Sequence, residues 1–434
     1  MTQARQGVQF WNYGYDSQNR LTSLTDAAGK TYSYAYDNAG RRTKITLPSG
    51  RMYNYAYDAN GNRTQITLPT NDVHSLSYTS VDLESSYTPP GNPPYLWSYD
   101  QDRRRTTASL PGGRATNINY DNTTGRPTGL NFPEATTSFA YTAGNLTNRI
   151  DQLTRTPAAG GNAQTTALAY NGDQIAMITL SGATQGAYSF TYDNKFITEN
   201  INLTSGADAI TTTLTRDVDD LLVGYGPFNF VRSGPGGLPT QIGDGVMNMT
   251  LGYDASARVT NRAHSVNGQQ KYQIQLTFDN SARLVHKTET VAGMPHTYDY
   301  SYDNVNQLTQ VVRDGIVFES YSYDSKSNRI SRQIGNGPLE TASYDAQDRL
   351  ITQGGLNYQF NVDGHLAQRG TGTFQYSALG ELLQATVNAA TITYAYDGFH
   401  RRVRRSDATG TYQYFYGNPD NEIQITAIRD KSGI

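Results

Sequence analysis

Carboxylates recur along this chain, each directly after a tyrosine. Aspartate oxygens could bind Ca²⁺, but calcium needs several oxygens that converge within one short loop. One aspartate per turn fits turn capping better, because its carboxylate accepts hydrogen bonds from nearby backbone N–H groups. A glycine such as Gly40 or Gly61 follows three residues later and tolerates the left-handed backbone that closes a turn. We predict this structural role, and no metal site, for the pairs Tyr15 and Asp16, Tyr36 and Asp37, Tyr57 and Asp58, Tyr99 and Asp100, Tyr120 and Asp121, Tyr192 and Asp193, Tyr253 and Asp254, Tyr302 and Asp303, Tyr323 and Asp324, Tyr344 and Asp345, and Tyr396 and Asp397.

Arginines form two clusters shortly after such pairs. Guanidinium groups on adjacent strands could bind an anionic glycan or a phosphate, since each presents a planar fork of donors. Alternatively, one arginine per unit bonds the aspartate of the neighbouring turn or stacks on the next tyrosine, and the others are solvated. We favour the second interpretation and keep the clusters as candidates for anion or glycan contact: Arg103, Arg104 and Arg105, then Arg401, Arg402, Arg404 and Arg405.

No other set of residues is typical of an active site. The six histidines are scattered, without a His-x-x-x-His pair or a carboxylate at metal-ligand spacing. The Gly-rich stretch 233–237 lacks the lysine and the following helix of a phosphate-binding loop. A polysaccharide-processing enzyme would need two carboxylates on neighbouring strands, an arrangement that sequence spacing does not reveal. We predict no catalytic residues, no cofactor and no enzyme activity.

The elements that must position these residues follow from an internal repeat. Tyr-Asp pairs at 15/16, 36/37 and 57/58 are 21 residues apart, and the later pairs at 302/303, 323/324 and 344/345 keep the same step. In Tyr13-Gly-Tyr15-Asp16 the two tyrosines are two residues apart, so they point to the same face of a strand. An alternating segment such as 42–47 and a second turn complete the unit. Each unit is predicted to be one β-hairpin plus a linking turn.

Repetition of this hairpin predicts an all-β fold, a continuous antiparallel meander. No segment of 12 or more residues combines helical periodicity with plausible caps. About 40 strands at about 4.8 Å each would form a sheet roughly 190 Å wide. Open sheets rarely exceed about ten strands without curling or closing. We therefore expect the hairpins to curl into a large open or hollow β-shell or spiral.

Composition limits the partners. The chain has 33 Tyr against 13 Phe and 2 Trp, which suits half-buried pleated surfaces where one end of each ring stays wet. A net charge of −3 provides no basic surface for nucleic acid, so no nucleic-acid partner is predicted. The absence of cysteine excludes disulfides and Cys-based metal sites. The N-terminal residues contain no apolar signal-peptide core, and no window has the roughly 18 apolar residues of a membrane span.

The motif Tyr-x-Tyr-Asp-x-x-Gly/Asn-Arg, repeated over about 10–420, resembles the YD repeat of bacterial RHS proteins. Wall-associated proteins, the C components of insecticidal Tc toxins and the teneurin extracellular region share it. The resemblance implies a hollow β-shell that encloses a toxic polypeptide, or a barrel presented outside a cell. Shell-type members close with a self-cleaving aspartate segment and a toxin. No residues here match that segment, so we expect neither an autoprotease nor a toxin domain.

We therefore expect one array over 1–434, with regular units at about 10–70, 98–142 and 253–420. Degenerate units at about 143–252 are expected to contribute extended turns on one rim of the sheet. Residues 70–96, which include Pro89-Pro90-Gly91, are predicted to be a long loop.

The predicted function is a non-catalytic scaffold that encapsulates or displays an associated polypeptide, such as an enclosed or downstream toxin. The alternative is an adhesin that binds carbohydrate or a cell-surface partner through its Tyr and Arg rows. Because no signal peptide is visible, we expect a dedicated machine to carry the protein out of the cell or to its surface. The chain is either a fragment of a longer protein or a short shell without cargo.

Overall fold

A computed structural model describes residues 3–6, 9–141, 149–419 and 421–433. These residues form strands and turns, with one 3₁₀ helix at Pro235–Gly237. Residues 142–148, where the degenerate units were expected to begin, lie outside the described residues. The chain divides into two compact units. Unit 1 comprises Met1–Asp82, Pro89–Gly91 and Arg216–Leu356, and unit 2 comprises Leu83–Thr88, Asn92–Thr215 and Asn357–Ile434.

Unit 1 contains two meanders, which we call the N-meander (β1 to β8) and the C-meander (β21 to β33). The strands of the N-meander are β1 Gln3–Gln6, β2 Gln9–Tyr15, β3 Leu21–Thr25, β4 Thr31–Tyr36, β5 Arg42–Thr46, β6 Met52–Tyr57, β7 Arg63–Thr67 and β8 Val73–Tyr78. Those of the C-meander are β21 Leu222–Tyr225, β22 Phe228–Val231, β23 Gln241–Gly243, β24 Met247–Tyr253, β25 Val259–Val266, β26 Gln269–Phe278, β27 Leu284–Val291, β28 Met294–Tyr302, β29 Leu308–Arg313, β30 Ile316–Tyr323, β31 Arg329–Ile334, β32 Glu340–Tyr344 and β33 Leu350–Gln353.

Unit 2 likewise contains two meanders. The first consists of β9 Glu84–Thr88, β10 Tyr95–Tyr99, β11 Arg105–Ser109, β12 Ala115–Tyr120, β13 Pro127–Phe132, β14 Ala135–Ala140, β15 Gln152–Pro157, β16 Gln164–Asn171, β17 Gln174–Ser181, β18 Gly186–Tyr192, β19 Thr198–Ser205 and β20 Asp208–Arg216. The second consists of β34 Leu356–Phe360, β35 Leu366–Arg369, β36 Gly372–Tyr376, β37 Leu382–Val387, β38 Ala390–Tyr396, β39 Arg402–Asp407, β40 Gly410–Phe415 and β41 Ala427–Arg429.

Within each meander, each strand pairs antiparallel with the next, as predicted. The register of the YD hairpins shifts by one residue at a bulge just before the motif tyrosine, for example between Ala35 and Tyr36 and between Ala56 and Tyr57. A bulge places two residues of one strand opposite one of the other and increases the local twist. The bulge therefore lies directly before each Tyr-Asp pair, at the point where the strand enters its turn.

The two units differ in how they bury apolar surface. Unit 2 has a core cluster of Ile178, Leu180, Tyr188, Phe190, Ile201, Leu203 and Phe415. In the described part of unit 1, Val311 is the one buried hydrophobic residue, at 7% exposure. Its tyrosines are mostly half-buried, as in β6, where Tyr53, Tyr55 and Tyr57 alternate with exposed residues. The stability of unit 1 therefore depends strongly on contacts between neighbouring hairpins.

Turns of the N-meander bond to turns of the C-meander, forming what we call the seam of unit 1. The Lys30 ammonium donates to the Asp303 carbonyl at 2.9 Å. One repeat on, the Arg51 guanidinium donates to the Ser325 carbonyl at 2.6 Å. One repeat further along the N-meander, the Asp72 carboxylate lies 2.6 Å from Lys326, which belongs to the same C-meander turn that Arg51 contacts. The two rows of turns are therefore in phase with each other.

Two expectations need correction. Residues 70–96 are not one long loop, because they contain β8 and β9, and Pro89-Pro90-Gly91 occupies the turn between β9 and β10. The prolines are confined to that turn, and beyond it the Tyr87 and Tyr95 rings stack with centroids 5.9 Å apart. The degenerate stretch was expected to contribute extended turns. Its strands β16 to β20 instead reach eight or nine residues in most cases and supply six of the seven residues of the core cluster that contains Phe415.

Candidate functional site

The Asp37 turn shows how each repeat closes. Asp37 Oδ1 accepts hydrogen bonds from the Ala39 and Arg41 backbone N–H groups at 3.0 and 2.9 Å. Gly40 has a φ of 80°, the left-handed conformation that the turn requires. Asp37 Oδ2 then accepts a hydrogen bond from Arg41 Nε at 2.7 Å. The carboxylate thus holds the turn and also orients the arginine.

The oriented arginine reaches the next repeat. Arg41 donates from its terminal nitrogen to the Asp58 carbonyl at 2.7 Å, and its guanidinium carbon lies 4.9 Å from the centroid of the Tyr57 ring. The Tyr57 hydroxyl donates back to the Arg42 carbonyl at 2.8 Å. The motif tyrosine is therefore covered by the arginine of the preceding repeat and bonded to its backbone. We call this Asp–Arg–Tyr arrangement the joint.

The joint recurs in both units. The aspartate–arginine ion pair is present at Asp16–Arg20, Asp37–Arg41, Asp100–Arg104, Asp254–Arg258, Asp279–Arg283, Asp345–Arg349 and Asp397–Arg401. The arginine covers the next ring at Arg20–Tyr36, Arg41–Tyr57, Arg104–Tyr120, Arg258–Phe278, Arg283–Tyr302 and Arg401–Tyr416. Hydroxyl-to-carbonyl bonds to the preceding hairpin are made by Tyr36, Tyr57, Tyr99, Tyr120, Tyr192, Tyr253, Tyr302, Tyr323, Tyr344 and Tyr396.

The remaining motif residues vary this theme. Asn62 replaces the arginine beside Asp58, and its amide bonds both that carboxylate and Asp82 of the next turn. Asp121 accepts from the Thr123 and Thr124 N–H groups within a turn closed by Gly125. The other motif aspartates, Asp193, Asp303 and Asp324, accept backbone N–H groups in the standard way. Tyr15 is 44% exposed.

Hydrogen bonding sets the electrostatics of the turns. The backbone N–H of Arg20, followed by its side chain, holds the pKa of Asp16 below its ordinary value of 3.8. The Arg41 backbone and side chain act in the same way on Asp37. Donors to the ionised form favour it, so the turns keep their negative charge at neutral pH. Burial raises the pKa of Tyr396 to about 12, so its hydroxyl remains a donor.

The first arginine cluster divides into bound and unbound side chains. Arg104 belongs to a joint, with Asp100 at 2.7 Å and the Tyr120 ring centroid at 4.6 Å. Arg103 and Arg105 are exposed, and their side chains have no partner among the described residues. This cluster therefore combines a structural arginine with two solvated ones.

The second cluster is mostly structural. The Arg401 side chain is 9% exposed and pairs with Asp397, which is fully buried. Arg402 stacks on Tyr394 and Tyr414, and Arg405 pairs with Asp407. Arg404 has no side-chain partner among the described residues and lines a cavity of about 420 Å³. We had kept both clusters as candidates for anion contact, and that role stays a prediction.

Sequence spacing did not reveal two features of the turns. The third residue after the motif aspartate adopts a positive φ even where it is neither Gly nor Asn, as at Phe196 and His400. The aspartate cap imposes this conformation by itself, because Asp193 Oδ1 accepts the Lys195 and Ile197 N–H groups in a turn that has no arginine. The bulge before each motif tyrosine was also missed, because side-chain alternation alone does not encode a one-residue shift.

A buried ion pair in unit 2 was also missed. The Arg155 and Glu381 side chains are 5% and 6% exposed, and two guanidinium–carboxylate contacts of 2.7 Å join them. Ser377 and His400 also bond Glu381. Arg155 and Glu381 are more than 200 positions apart, so no local sequence pattern could pair them. The described residues contain no cluster of three or more His, Cys, Asp or Glu side chains suited to a metal ion.

A chain in which one polar joint is repeated from hairpin to hairpin is a structural repeat protein. The family model of the teneurin YD-shell matches residues 1–433. The chain therefore belongs to the teneurin YD-shell family, which confirms the resemblance and the fold class inferred from the sequence.

Curated relatives are similar over part of the chain. Teneurin-4 of Mus musculus is 28% identical over 267 residues, covering 60% of this chain and 10% of that protein. Teneurin-3 of Danio rerio is 26% identical over 267 residues, again covering 60% and 10%. A solved structure of TcdB2-TccC3 shares the fold, with a TM-score of 0.62 and 13% identity over 94% of this chain and 29% of that chain. The chain spans about a tenth of the length of the curated relatives it matches.

Proposed function

We propose that this chain is a non-catalytic wall that encloses or displays an associated polypeptide. The observation that carries the proposal is the joint itself. It uses the recurring carboxylates, guanidinium groups and tyrosine hydroxyls in contacts within and between hairpins, and this arrangement suits a continuous structural wall. Likeness in fold to TcdB2-TccC3, and to a Photorhabdus luminescens Tc holotoxin pore that contains TccC3, supports a role of the same kind.

A non-catalytic role agrees with how the ionisable groups are used. The most buried carboxylates, those of Asp363, Glu381 and Asp397, each pair with an arginine in the wall. Burial acts to raise the pKa of Glu381, but hydrogen bonds from His400 and Arg155 outweigh it and hold the pKa below its ordinary value of 4.5, so this carboxylate does not serve readily as a general acid. We propose that the protein acts outside the cell or at its surface. The described residues contain no helix of the length and apolarity needed to cross a membrane.

The test is limited proteolysis of the natural polypeptide that continues from, or is produced with, residues 1–434. We expect that polypeptide to resist digestion when these residues accompany it and to be cut rapidly alone. A Glu381→Gln variant, which leaves Arg155 without its buried counter-charge, should lower the protection. Equal digestion with and without residues 1–434 would reject enclosure.

A second candidate function is binding of an anionic surface partner. It is favoured by the exposed side chains of Arg103 and Arg105, which have no partner among the described residues. Binding to an anionic glycan array should weaken in an Arg103→Ala/Arg105→Ala variant. Arg401 and Arg402 are unsuitable for this test, because both contribute to packing of the wall. Uniformly negative arrays would remove this candidate.

A further inference from the structure

A cavity in unit 2 lies between the loop that joins β15 to β16 and the strands β37 to β39. Its volume is about 420 Å³, within the range of about 300–1,000 Å³ that is typical of small-molecule sites. The loop belongs to the first meander of unit 2 and the strands belong to the second. A bound molecule would therefore contact both meanders.

Two charged residues of the first meander line this cavity and are already bonded. Glu134 lies 2.8 Å from Arg114, and Arg114 also pairs with Asp363, so this group of three keeps one net negative charge. Arg155 is joined to Glu381 by two contacts of 2.7 Å, which balance its charge.

Arg404 is a guanidinium without a counter-ion. It lines the cavity and is half-buried, and its side chain has no partner among the described residues. Arg402 also lacks a carboxylate partner in the described part of the chain, and its guanidinium carbon lies 5.7 Å from the ring centroid of Tyr394, a lining residue. These two positive charges exceed the single net negative charge nearby, so the cavity favours an anion.

The loop between β15 and β16 supplies backbone donors. Gly160 and Gly161 line the cavity with φ of 86° and 111°, a conformation that glycine tolerates. Among the described residues, no backbone acceptor bonds the N–H groups of Gly160, Gly161 or Asn162. All three residues are exposed, so a ligand can reach these donors. Successive free N–H groups in a turn are a recurrent means of binding an anion.

Part of the cavity wall is apolar. Pro157, Leu383 and Ala395 line it together with Tyr394 and Tyr396. An anion that carries an organic group would bury part of that group against these side chains.

We propose that this cavity binds the phosphate group of a small phosphate monoester. The Arg404 fork bonds two phosphate oxygens, the loop N–H groups bond a third, and the organic group packs on Leu383 and Pro157. A carboxylate has only two oxygens for donors that come from two walls, so phosphate is the better match. A neutral ligand would leave the Arg404 charge without compensation. The proposal is independent of the enclosure role, since phosphate binding and protease protection are separate readouts.

The probe is phenyl phosphate, titrated into the full chain near neutral pH and followed by phosphorus NMR. A saturable change in line width is expected with a Kd of about 1 mM, the level of a weak small-molecule site. Phenol, which has the ring without the phosphate and is followed by proton NMR, should not saturate the protein.

Substitutions of Arg404 test the guanidinium directly. Arg404→Ala should weaken binding at least about tenfold, because it removes charge-assisted hydrogen bonds. Arg404→Lys keeps the charge and loses the planar fork, so it should weaken binding less, by about threefold. Arg105→Ala is the matched control, since Arg105 is an exposed arginine of unit 2 that does not line the cavity. It should leave the Kd unchanged.

Three outcomes would overturn the proposal. The first is an absence of saturation by phenyl phosphate and by inorganic phosphate in a protein whose circular dichroism is normal. The second is equal affinity of the Arg404→Ala and Arg105→Ala variants, which would indicate attraction to exposed arginines in general or binding elsewhere. The third is tighter binding of benzoate than of phenyl phosphate, which would indicate a carboxylate site.

Discussion

Substitution of Tyr36 separates the contributions to one joint. Its hydroxyl donates to the Leu21 carbonyl at 2.7 Å, and the Arg20 guanidinium carbon lies 5.0 Å from its ring centroid. Tyr36→Phe removes the hydrogen bond, which contributes about 1 kcal/mol. Tyr36→Ala also removes the ring packing and about 0.5–1 kcal/mol of cation–π attraction. Because the ring is half-buried, we expect a total loss of about 3 kcal/mol, at the low end for an aromatic truncation.

Hydrogen exchange measured by mass spectrometry is the suitable assay, because repeat arrays open locally. Peptides covering β3 to β5 should exchange roughly a hundredfold faster in Tyr36→Ala and about fivefold faster in Tyr36→Phe. Ser33→Ala changes an exposed residue of the same strand and should shift stability by no more than about 0.5 kcal/mol. If Tyr36→Ala and the wild type exchanged at the same rate, the joint would not hold the hairpins together.

Three further predictions follow from the same contacts. Phe278→Tyr restores the hydroxyl that this joint lacks beneath Arg258, so it should raise the free energy of unfolding by up to about 1 kcal/mol in urea titration, and a decrease would contradict the assumed geometry. Glu381→Gln should cost about 3 kcal/mol, because it leaves Arg155 buried without its full counter-charge; a melting curve that overlays the wild type would refute this. Burial raises the pKa of Tyr396 from 10.0 to about 12, so the contribution of its neutral hydroxyl to the free energy of unfolding is complete below pH 10 and is lost as the pH rises through 12. Tyrosinate absorbance from this residue, isolated by comparison with Tyr396→Phe, should therefore appear late in an alkaline titration.

The sequence predicts the hairpin and its turn well, because both depend on residues only a few positions apart. Tyr-x-Tyr spacing sets the face of the strand, and the capping of Asp37 involves atoms no more than four residues away. The favoured interpretation of the arginines had one arginine per unit bond the aspartate of the neighbouring turn or stack on the next tyrosine, and Arg41 stacks on the next tyrosine. Its carboxylate partner, however, is Asp37 of its own turn rather than the neighbouring one.

Contacts between distant repeats could not be predicted from local spacing. The Arg155–Glu381 pair and the seam contact of Lys30 depend on which rows of turns meet in the folded chain. A 21-residue period makes many positions alike, so it does not specify which copies become neighbours.

The contacts of the seam in unit 1 also bear on which turn of the N-meander meets which turn of the C-meander. Lys30 and Arg51 each bond a turn 273 residues ahead, which is thirteen times the 21-residue period. Because both rows have the same spacing, one row shifted by a whole repeat would again place its turns opposite turns of the other row. The third contact opposes such a slip, because its charges are reversed, with Lys326 on the far row paired with Asp72 on the near row.

Arg51 bonds Ser325 and Ser327, on either side of Lys326, and a slip by one repeat would separate Lys326 from Asp72 and leave that carboxylate without its ammonium partner. A single contact of reversed charge thus distinguishes turn positions that are otherwise alike. A periodic chain can in this way acquire a unique alignment through a single exception to its own period.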